Sequence, residues 1–328
     1  WLQNSGFTPE VYNYTAEEKQ QSDYKDDYFS KGLWVNELIE KFNVPVSLCV
    51  GIHTDAGKYQ NDSIVGTLAI YTRLSENKDS YPDGTSRIIS RELADIIHTQ
   101  IVEDVRFLHD TAWTRRPVWD RSYVEARTPN VPSILLEMFA HQNYQDMKYG
   151  LDPRVRFTIS RAMYKSFLKF IHEQYGTEYV VQPLPVKDMA MRREGDKMHV
   201  TWAETHDALE PTAKPNYYIV YTRLNDGDWD NGTRVTTPAY TFTPEKGTRY
   251  DICVAAGNSG GLSFRGETLS AYIAPEEKGN VLIVNGFTRV SGPEWWSDSI
   301  YGGIRPMSHT VPYGKGVNYI GEVYDFDS

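Results

Sequence analysis

Hydrophobic and polar residues repeat with two different periods along this chain, and the change of period divides it into two parts. Up to about residue 180, apolar residues recur at helical spacing in some segments and form unbroken runs of strand length in others. Helices that alternate with buried strands are typical of an α/β domain. From about Val186 the period becomes two, which predicts a succession of short strands.

The first part predicts three strands and three helices. A helix with its apolar positions between Leu33 and Phe42 precedes the first strand, a second begins near Thr85, and Pro153 opens a third. The predicted strands are Val46–Ile52, Gly66–Thr72 and Ser133–Leu136. The unbroken apolar character of these strands favours burial on both faces, as in parallel sheets. We therefore predict that residues 1–180 form a three-layer α/β domain with a mostly parallel sheet.

The second part, residues 181–275, predicts an all-β sandwich. Six segments with alternating polarity are separated by turn-rich stretches such as the one from Asn225 to Asp228. Trp202 in an early strand and the run Tyr250–Asn258 resemble fibronectin type III domains, which implies an immunoglobulin-like fold. After a polar linker, the run Val281–Asn285 predicts a strand that opens a partial third α/β-like segment over residues 276–328.

Composition narrows the classes of partner. The 328 residues contain 34 Lys and Arg against 44 Asp and Glu, a net charge of −10. Because nucleic-acid binding needs a basic surface, we expect no nucleic-acid partner. No apolar run approaches the roughly 20 residues of a membrane-spanning helix, so we expect no transmembrane segment. The two cysteines, Cys49 and Cys253, lie in different predicted domains and are expected to be buried thiols.

Both ends of the sequence have the features of cut points. The opening stretch reads as the tail of a helix that stops at Gly6, and it starts on Trp without Met. Only about 50 residues follow the second domain, fewer than an independent doubly wound domain needs. We expect a processed or trimmed product from which a leader has been removed.

Two ionisable residues each stand at the end of a buried strand. His53 follows the run Val46–Ile52, and Glu137 follows Ile134–Leu136. Because the carboxyl ends of parallel strands meet at one edge of a sheet, both side chains are expected in the same crevice. An imidazole facing a carboxylate there suits metal-assisted hydrolysis or general acid/base catalysis. The alternative for each residue alone is structural: a hydrogen-bonded histidine, and a glutamate that caps the next helix.

A catalytic zinc ion needs about three protein ligands and an open position for water. His53 is one candidate ligand, and Glu137 is the candidate for proton transfer. The remaining ligands are not evident: no HExxH motif occurs, and no histidine precedes His53. Other acidic and histidine side chains lie nearby in the sequence. They are Asp55, His98, His109, Asp120 and His141.

Two segments resemble the zinc-dependent N-acetylmuramoyl-L-alanine amidases. VGIHTDA, residues 50–56, is similar to the strand and turn in which that family carries a metal-binding histidine. VPSILLE, residues 131–137, is similar to the family's later strand with its catalytic glutamate, and Asn143 follows at a similar spacing. The resemblance covers about residues 28–175, and the order of the two segments agrees. This chain departs from the family after Glu137, where Met138-Phe139-Ala140 replaces Thr-Gly-Phe.

The resemblance implies a zinc hydrolase that cleaves the amide between N-acetylmuramic acid and L-alanine in peptidoglycan. It implies Zn²⁺ as cofactor, His53 as a metal ligand and Glu137 as the catalytic residue, with the other ligands upstream of Trp1. The implied partner is peptidoglycan or a related envelope polymer, and the implied location is secreted, periplasmic or on the surface of a bacterial envelope. The residues expected to bind substrate are Asp55, Arg121, His141 and Asn143.

Two other functions remain open. A non-catalytic peptidoglycan- or carbohydrate-binding protein on an amidase scaffold is favoured by the absence of upstream ligands. A polysaccharide lyase is the other alternative, because some multidomain relatives of this arrangement carry that label. A lyase needs a base and a group that neutralises a uronate, for which Tyr123 with Arg121 are the candidates.

Overall fold

The computed structural model describes residues 1–18, 20–45, 48–56 and 63–286, and the backbone alone of residues 294–297, 301–305 and 313–314. The chain divides into two compact units. One comprises Trp1–Gln174 with Phe287–Ser328, and the other comprises Tyr175–Gly286. Each unit has its own hydrophobic core.

The first unit contains six α-helices and four strands over residues 1–175 in the part of the chain described. In chain order these are α1 Pro9–Tyr12, α2 Asp23–Glu40, β1 Cys49–Asp55, β2 Leu68–Tyr71, α3 Ile89–Leu108, β3 Trp119–Asp120, α4 Val124–Arg127, β4 Ser133–Ala140, α5 Tyr144–Gly150 and α6 Pro153–Tyr175. Capping residues in the sequence set several helix starts. Ser22 accepts a hydrogen bond from the backbone N–H of Lys25, and Asp152 accepts one from that of Arg154.

The four strands form one sheet in the order β1-β4-β2-β3. β1 runs parallel to β4 and β2 runs parallel to β3, whereas β2 runs antiparallel to β4. Two of the three pairings are thus parallel. The central pairing of β2 with β4 is antiparallel, which differs from the parallel arrangement expected for these strands. Strand direction follows from the connections, which the hydrophobic pattern does not record.

Helices α3 and α6 bury their apolar stripes in the main core of this unit. Alternate residues of β2 and β4, among them Ala69 and Leu136, join Leu93, Ile101 and Phe170 there. A smaller apolar cluster includes the other residues of the same two strands, Leu68, Ile70 and Leu135. Both faces of β2 and β4 are therefore covered, as their unbroken apolar sequence predicts.

His98 lies fully buried on α3, where Nε2 and the carbonyl oxygen of Thr67 are 2.7 Å apart. Because the carbonyl only accepts, Nε2 carries the hydrogen. Burial lowers the pKa of this imidazole from 6.5 to about 4. The ring is therefore neutral in the folded protein at neutral pH.

The unfolding free energy should fall as the pH drops from 6.5 to about 4, the range in which His98 is protonated in the unfolded chain but not in the folded protein. The unfolded state binds more protons between pH 6.5 and about 4, so this contribution is intact above pH 6.5 and is lost toward pH 4. The expected loss of unfolding free energy is roughly 3 kcal/mol. The variant His98→Gln should not show this pH-dependent loss. Urea unfolding at several pH values measures it. An equal pH slope in both proteins would contradict the assignment.

The second unit is a β-sandwich. Its strands are β5 Lys187–Glu194, β6 Lys197–Ala203, β7 Tyr217–Leu224, β8 Thr233–Val235, β9 Ala239–Phe242, β10 Arg249–Asn258, β11 Gly261–Leu262 and β12 Leu269–Tyr272. One sheet has the order β5-β6-β9, and the other β11-β10-β7-β8 with β12 also paired to β10. Every pairing is antiparallel. This arrangement is that of a fibronectin type III-like sandwich.

The core of the sandwich comes from the inward positions that the period-two pattern marks. Trp202 packs edge to face on Tyr218, their ring centroids 5.3 Å apart, with Val200, Val220 and Val254 around them. Cys253 is a buried free thiol in this unit, and Cys49 in the other unit is free and half-buried.

The predicted strand over Val281–Asn285 is not formed. Residues 281–286 have no helix or strand, and the four apolar side chains Val281–Val284 are 77% to 87% exposed. An apolar run becomes a strand only where a neighbouring strand supplies hydrogen bonds. After it come β13 Glu294–Ser297, β14 Tyr301–Arg305 and β15 Tyr313–Gly314, which form an antiparallel sheet. The remainder of the predicted third segment lies outside the described residues.

Candidate functional site

His53 and Glu137 are direct neighbours on adjacent strands. β1 and β4 pair in parallel, and in their register the Cα of His53 is opposite the Cα of Glu137. Neighbouring strands lie about 4.8 Å apart, and residues level with each other point to the same face. The structure therefore brings together the imidazole and the carboxylate that the sequence placed at two strand ends, 84 positions apart.

Glu137 has the environment of a proton carrier. Burial, and then the negative charge of Asp55, raise its pKa above the ordinary value for a glutamate. Its Oε2 is buried and has no hydrogen-bond partner among the described residues. A carboxyl group with a raised pKa and an unpaired oxygen holds a proton more readily than an ordinary glutamate, as a group that accepts and returns a proton must.

A second carboxylate, Glu125 of α4, lies against the same imidazole and was not among the predicted site residues. One of its oxygens, Oε2, contacts Nε2 of His53, and the other, Oε1, is 2.8 Å from the ammonium nitrogen of Lys31. Burial opposes ionisation of Glu125, but hydrogen bonds from His53 and then Lys31 lower its pKa below the ordinary value. The hydrogen bond to Glu125 in turn raises the pKa of His53.

Asp55, predicted to bind substrate, is paired with an arginine of the protein. Its Oδ2 is 2.8 Å from Nη1 of Arg116, a side chain only 8% exposed. The guanidinium carbon of Arg116 also lies 5.4 Å from the centre of the Trp119 ring. Asp55 thus holds Arg116 beside Glu137, on which both charges act.

Arg121, predicted to bind substrate, follows the short strand β3, and its contact with substrate stays a prediction. In the sheet, Asp120 of β3 pairs with Tyr71 at the end of β2, and Tyr71 pairs with Ile134 of β4. Glu137 pairs with Leu68, at the start of β2. The backbone of Arg121, which follows Asp120, therefore lies toward the other end of the sheet from Glu137, but its guanidinium carbon is 5.7 Å from the centre of the Trp119 ring, which Arg116 also contacts. Because β2 runs antiparallel to β4, the backbone of Arg116, just before β3, lies at the end of the sheet that carries Glu137.

His141 directly follows β4 and lies beside the end of β1. Its Nδ1 is 3.0 Å from Oγ1 and 3.1 Å from the carbonyl oxygen of Thr54, and its backbone N–H donates to the carbonyl of Asp55. The side chain is exposed. His141 is thus close enough to influence Glu137 electrostatically, and its predicted contact with substrate stays a prediction.

Asn143 is a structural residue rather than a substrate ligand, which corrects the expectation. The residue is fully buried at the N-terminus of α5, where its Oδ1 accepts the backbone N–H of Asp146 at 2.9 Å. Its Nδ2 donates to the carbonyl of Ser63 at 2.9 Å. A buried asparagine that caps a helix has no surface left for a substrate.

The donor atoms fit a zinc site only in part. His53 offers an imidazole nitrogen and Glu137 an unpaired, buried oxygen, both of which zinc accepts. In the described part of the chain, however, no group of three or more His, Cys, Asp or Glu side chains is arranged to hold a metal ion. His98 and His109 are occupied elsewhere, with Thr67 and Thr158 respectively.

Little in the local sequence could have identified Glu125 and Arg116 as residues of the candidate site. α4 has four residues, which is too short for an apolar period, and Glu125 is 72 positions from His53. Arg116 is one of several arginines in a stretch without periodicity. Only the fold selects between them.

Comparisons with known proteins add a likeness to fibronectin type III structures. No protein-family model matches the chain, and no curated protein matches it. Among solved structures, the FN5 domain of Drosophila Lar is 18% identical with a TM-score of 0.23, covering 29% of this chain and 99% of that one. A fourth FNIII domain from human is 20% identical with a TM-score of 0.27, covering 32% and 89%.

A third match is to titin kinase and its flanking domains, 23% identical with a TM-score of 0.26. It covers 29% of this chain and only 18% of the titin chain. The assignment of the sandwich rests on its strand order.

Proposed function

We propose that this protein is a metal-assisted hydrolase of the bacterial cell envelope. Its substrate would be the amide between the lactyl group of N-acetylmuramic acid and the L-alanine of a peptidoglycan stem peptide. The observation that carries the proposal is the register of β1 and β4, which sets His53 opposite a glutamate with a raised pKa. The choice of this amide among others rests on the resemblance of residues 50–56 and 131–137 to the amidases.

In the proposed reaction, Glu137 takes a proton from the attacking water and returns it to the leaving amine of alanine. Its raised pKa suits both transfers, since a carboxyl group that is too acidic would not hold the proton in between. Arg116, fixed by Asp55, places a positive charge beside the crevice. His53 would be one ligand of a zinc ion, and zinc when bound supplies a Lewis acid that polarises the carbonyl.

The proposal includes the architecture and the setting. The sheet would be the middle of three layers, with α3 and α6 on one side and α2 and α4 on the other. A secreted, periplasmic or surface location follows from the proposed substrate. In the part of the chain that the structure describes, no helix is both long and apolar enough to cross a bilayer.

A non-catalytic peptidoglycan- or carbohydrate-binding protein is the second candidate. It is favoured by one observation: the described residues do not complete a three-ligand metal site. In that case Lys31, Glu125 and His53 would form a purely structural network, with the carboxylate of Glu125 between the other two groups.

The test is zinc content and product analysis on protein expressed from the complete gene. We expect close to one equivalent of zinc after metal reconstitution and dialysis. Digestion of purified peptidoglycan should expose new alanine amino groups, detected by dinitrophenyl labelling. His53→Ala should lower both the zinc content and the yield of amino groups by at least tenfold.

Two other results would decide against the hydrolase. Less than half an equivalent of zinc with unchanged peptidoglycan, but retention on insoluble peptidoglycan, would establish the binding protein. An unsaturated sugar that absorbs in the ultraviolet, formed without new amino groups, would establish a polysaccharide lyase.

A further inference from the structure

The contact of Glu125 with His53 belongs to a row of charges that runs from α2 to β1. Lys31 of α2 pairs with Asp27 at 3.1 Å and with Oε1 of Glu125 at 2.8 Å, and Oε2 of Glu125 contacts Nε2 of His53. The Glu125 side chain is 8% exposed, so water screens this pair only weakly. One carboxylate thus connects a helix of the first fifty residues to the candidate site.

Gly51 provides the space for this carboxylate. The residue lies two positions before His53 on β1, and it points to the same face of the strand. A Cβ added at Gly51 would be 2.8 Å from Oε2 of Glu125 and 3.5 Å from Nε2 of His53. Any larger residue at this position would push Glu125 away from the imidazole.

The chemistry of the contact sets the state of the ring. A carboxylate only accepts hydrogen bonds, and Lys31 together with His53 lowers the pKa of Glu125, which keeps it ionised. Nε2 of His53 must therefore carry the hydrogen. In the neutral ring the lone pair is then on Nδ1, because only one imidazole nitrogen is protonated.

We propose that Glu125 is a positioning residue for His53: held by Lys31 and admitted by Gly51, it fixes the ring in the Nε2–H tautomer. Nδ1 is then the nitrogen that faces a ligand, whether a metal ion or a group of the substrate. The use of Nδ1 in hydrolysis rests on the proposed function, but the control of the ring by Glu125 does not. A carboxylate behind a ligating histidine is a common way to orient the ring and to raise its basicity.

The first experiment observes the tautomer directly. Long-range ¹H–¹⁵N spectra of histidine-labelled protein, at a pH that keeps the ring neutral, should show His53 with Nε2 protonated and Nδ1 bare. Glu125→Ala should change this to a mixture of tautomers, whereas Glu125→Gln should largely restore it, because the amide oxygen still accepts. Unchanged His53 nitrogen shifts in Glu125→Ala would overturn the proposal.

Glu37→Ala is the matched control. Glu37 is also a buried glutamate, paired with Lys41 at 2.9 Å on the same helix as Lys31, but it has no contact with His53. It should leave the His53 signals unchanged. If Glu125→Ala does not fold, Gly51→Ala tests the same contact with Glu125 still present, and it should shift the same nitrogens.

The second experiment separates this inference from the proposed function. If the wild type binds zinc and is active, Glu125→Ala should weaken zinc binding 10- to 100-fold, measured by competition with a chelator. An active wild type whose zinc affinity and kcat are unaffected by Glu125→Ala would overturn the positioning role alone. A wild type without zinc or turnover would overturn the hydrolase, while the tautomer spectra would still decide the role of Glu125.

Discussion

Replacing Glu137 by glutamine is expected to lower turnover of peptidoglycan about a thousandfold while leaving the fold and the bound zinc in place. Proton transfer by a positioned side chain contributes roughly 10² to 10⁴ in rate, and an amide cannot make that transfer. Glutamine is nearly isosteric, so the strand register opposite His53 should persist. The measurements are initial rates of new amino groups, zinc content and circular dichroism.

Glu173→Gln on the exposed side of α6 is the matched control, since it removes the same charge away from the site. It should keep wild-type rates. If Glu137→Gln keeps more than a tenth of the activity, another group transfers the proton. If it loses zinc together with activity, Glu137 is a metal ligand rather than the proton carrier.

Breaking the buried ion pair between α3 and α6 is expected to have the largest effect on stability. Lys165 and Asp104 are 2% and 4% exposed, and Nζ lies 2.6 Å from Oδ2. Lys165→Met would leave a carboxylate in the interior without its cation, which typically costs 3–5 kcal/mol, or roughly 10 °C in Tm for a unit of this size. Urea and thermal unfolding followed by circular dichroism measure both quantities.

The double variant Lys165→Met with Asp104→Leu should recover most of this loss, because no charge is then left buried. Lys25→Met, which removes an exposed partner of Glu18, should leave the unfolding free energy unchanged. A Lys165→Met protein as stable as the wild type would mean that the Asp104 carboxyl is protonated or hydrated in the variant.

Much of the fold follows from local patterns. The strands β6 and β7 lie where polar and apolar residues alternate with a period of two, because one face of each strand is more buried than the other. Apolar stripes similarly predict α3 and α6, and Pro153 marks the start of the latter. Val281–Val284 show the limit of the method, since an apolar run has no strand where no neighbour pairs with it.

The candidate site also has a part that local sequence predicts and a part that it does not. The apolar runs that precede His53 and Glu137 are local information, and the parallel pairing of β1 with β4 makes the two residues neighbours. Both strands continue past them, to Asp55 and Ala140. The pairing of Arg116 with Asp55 depends on how β2 and β3 join the sheet, and the contact of Glu125 with His53 depends on how α2 and α4 meet β1.

The amino-acid sequence by itself indicated the change from mixed helices and strands to an all-β sandwich, the longer helices and strands of each part, and the apolar runs that lead to His53 on β1 and Glu137 on β4. Burial periodicity and capping act over a few residues, so they can be read without knowing the fold. Only the tertiary structure decided which charges surround those two groups, buried Asn143 as a helix cap and brought Glu125 against His53. Contacts between residues as far apart as Lys31, His53 and Glu125 depend on strand direction and helix placement, which no short stretch of sequence encodes.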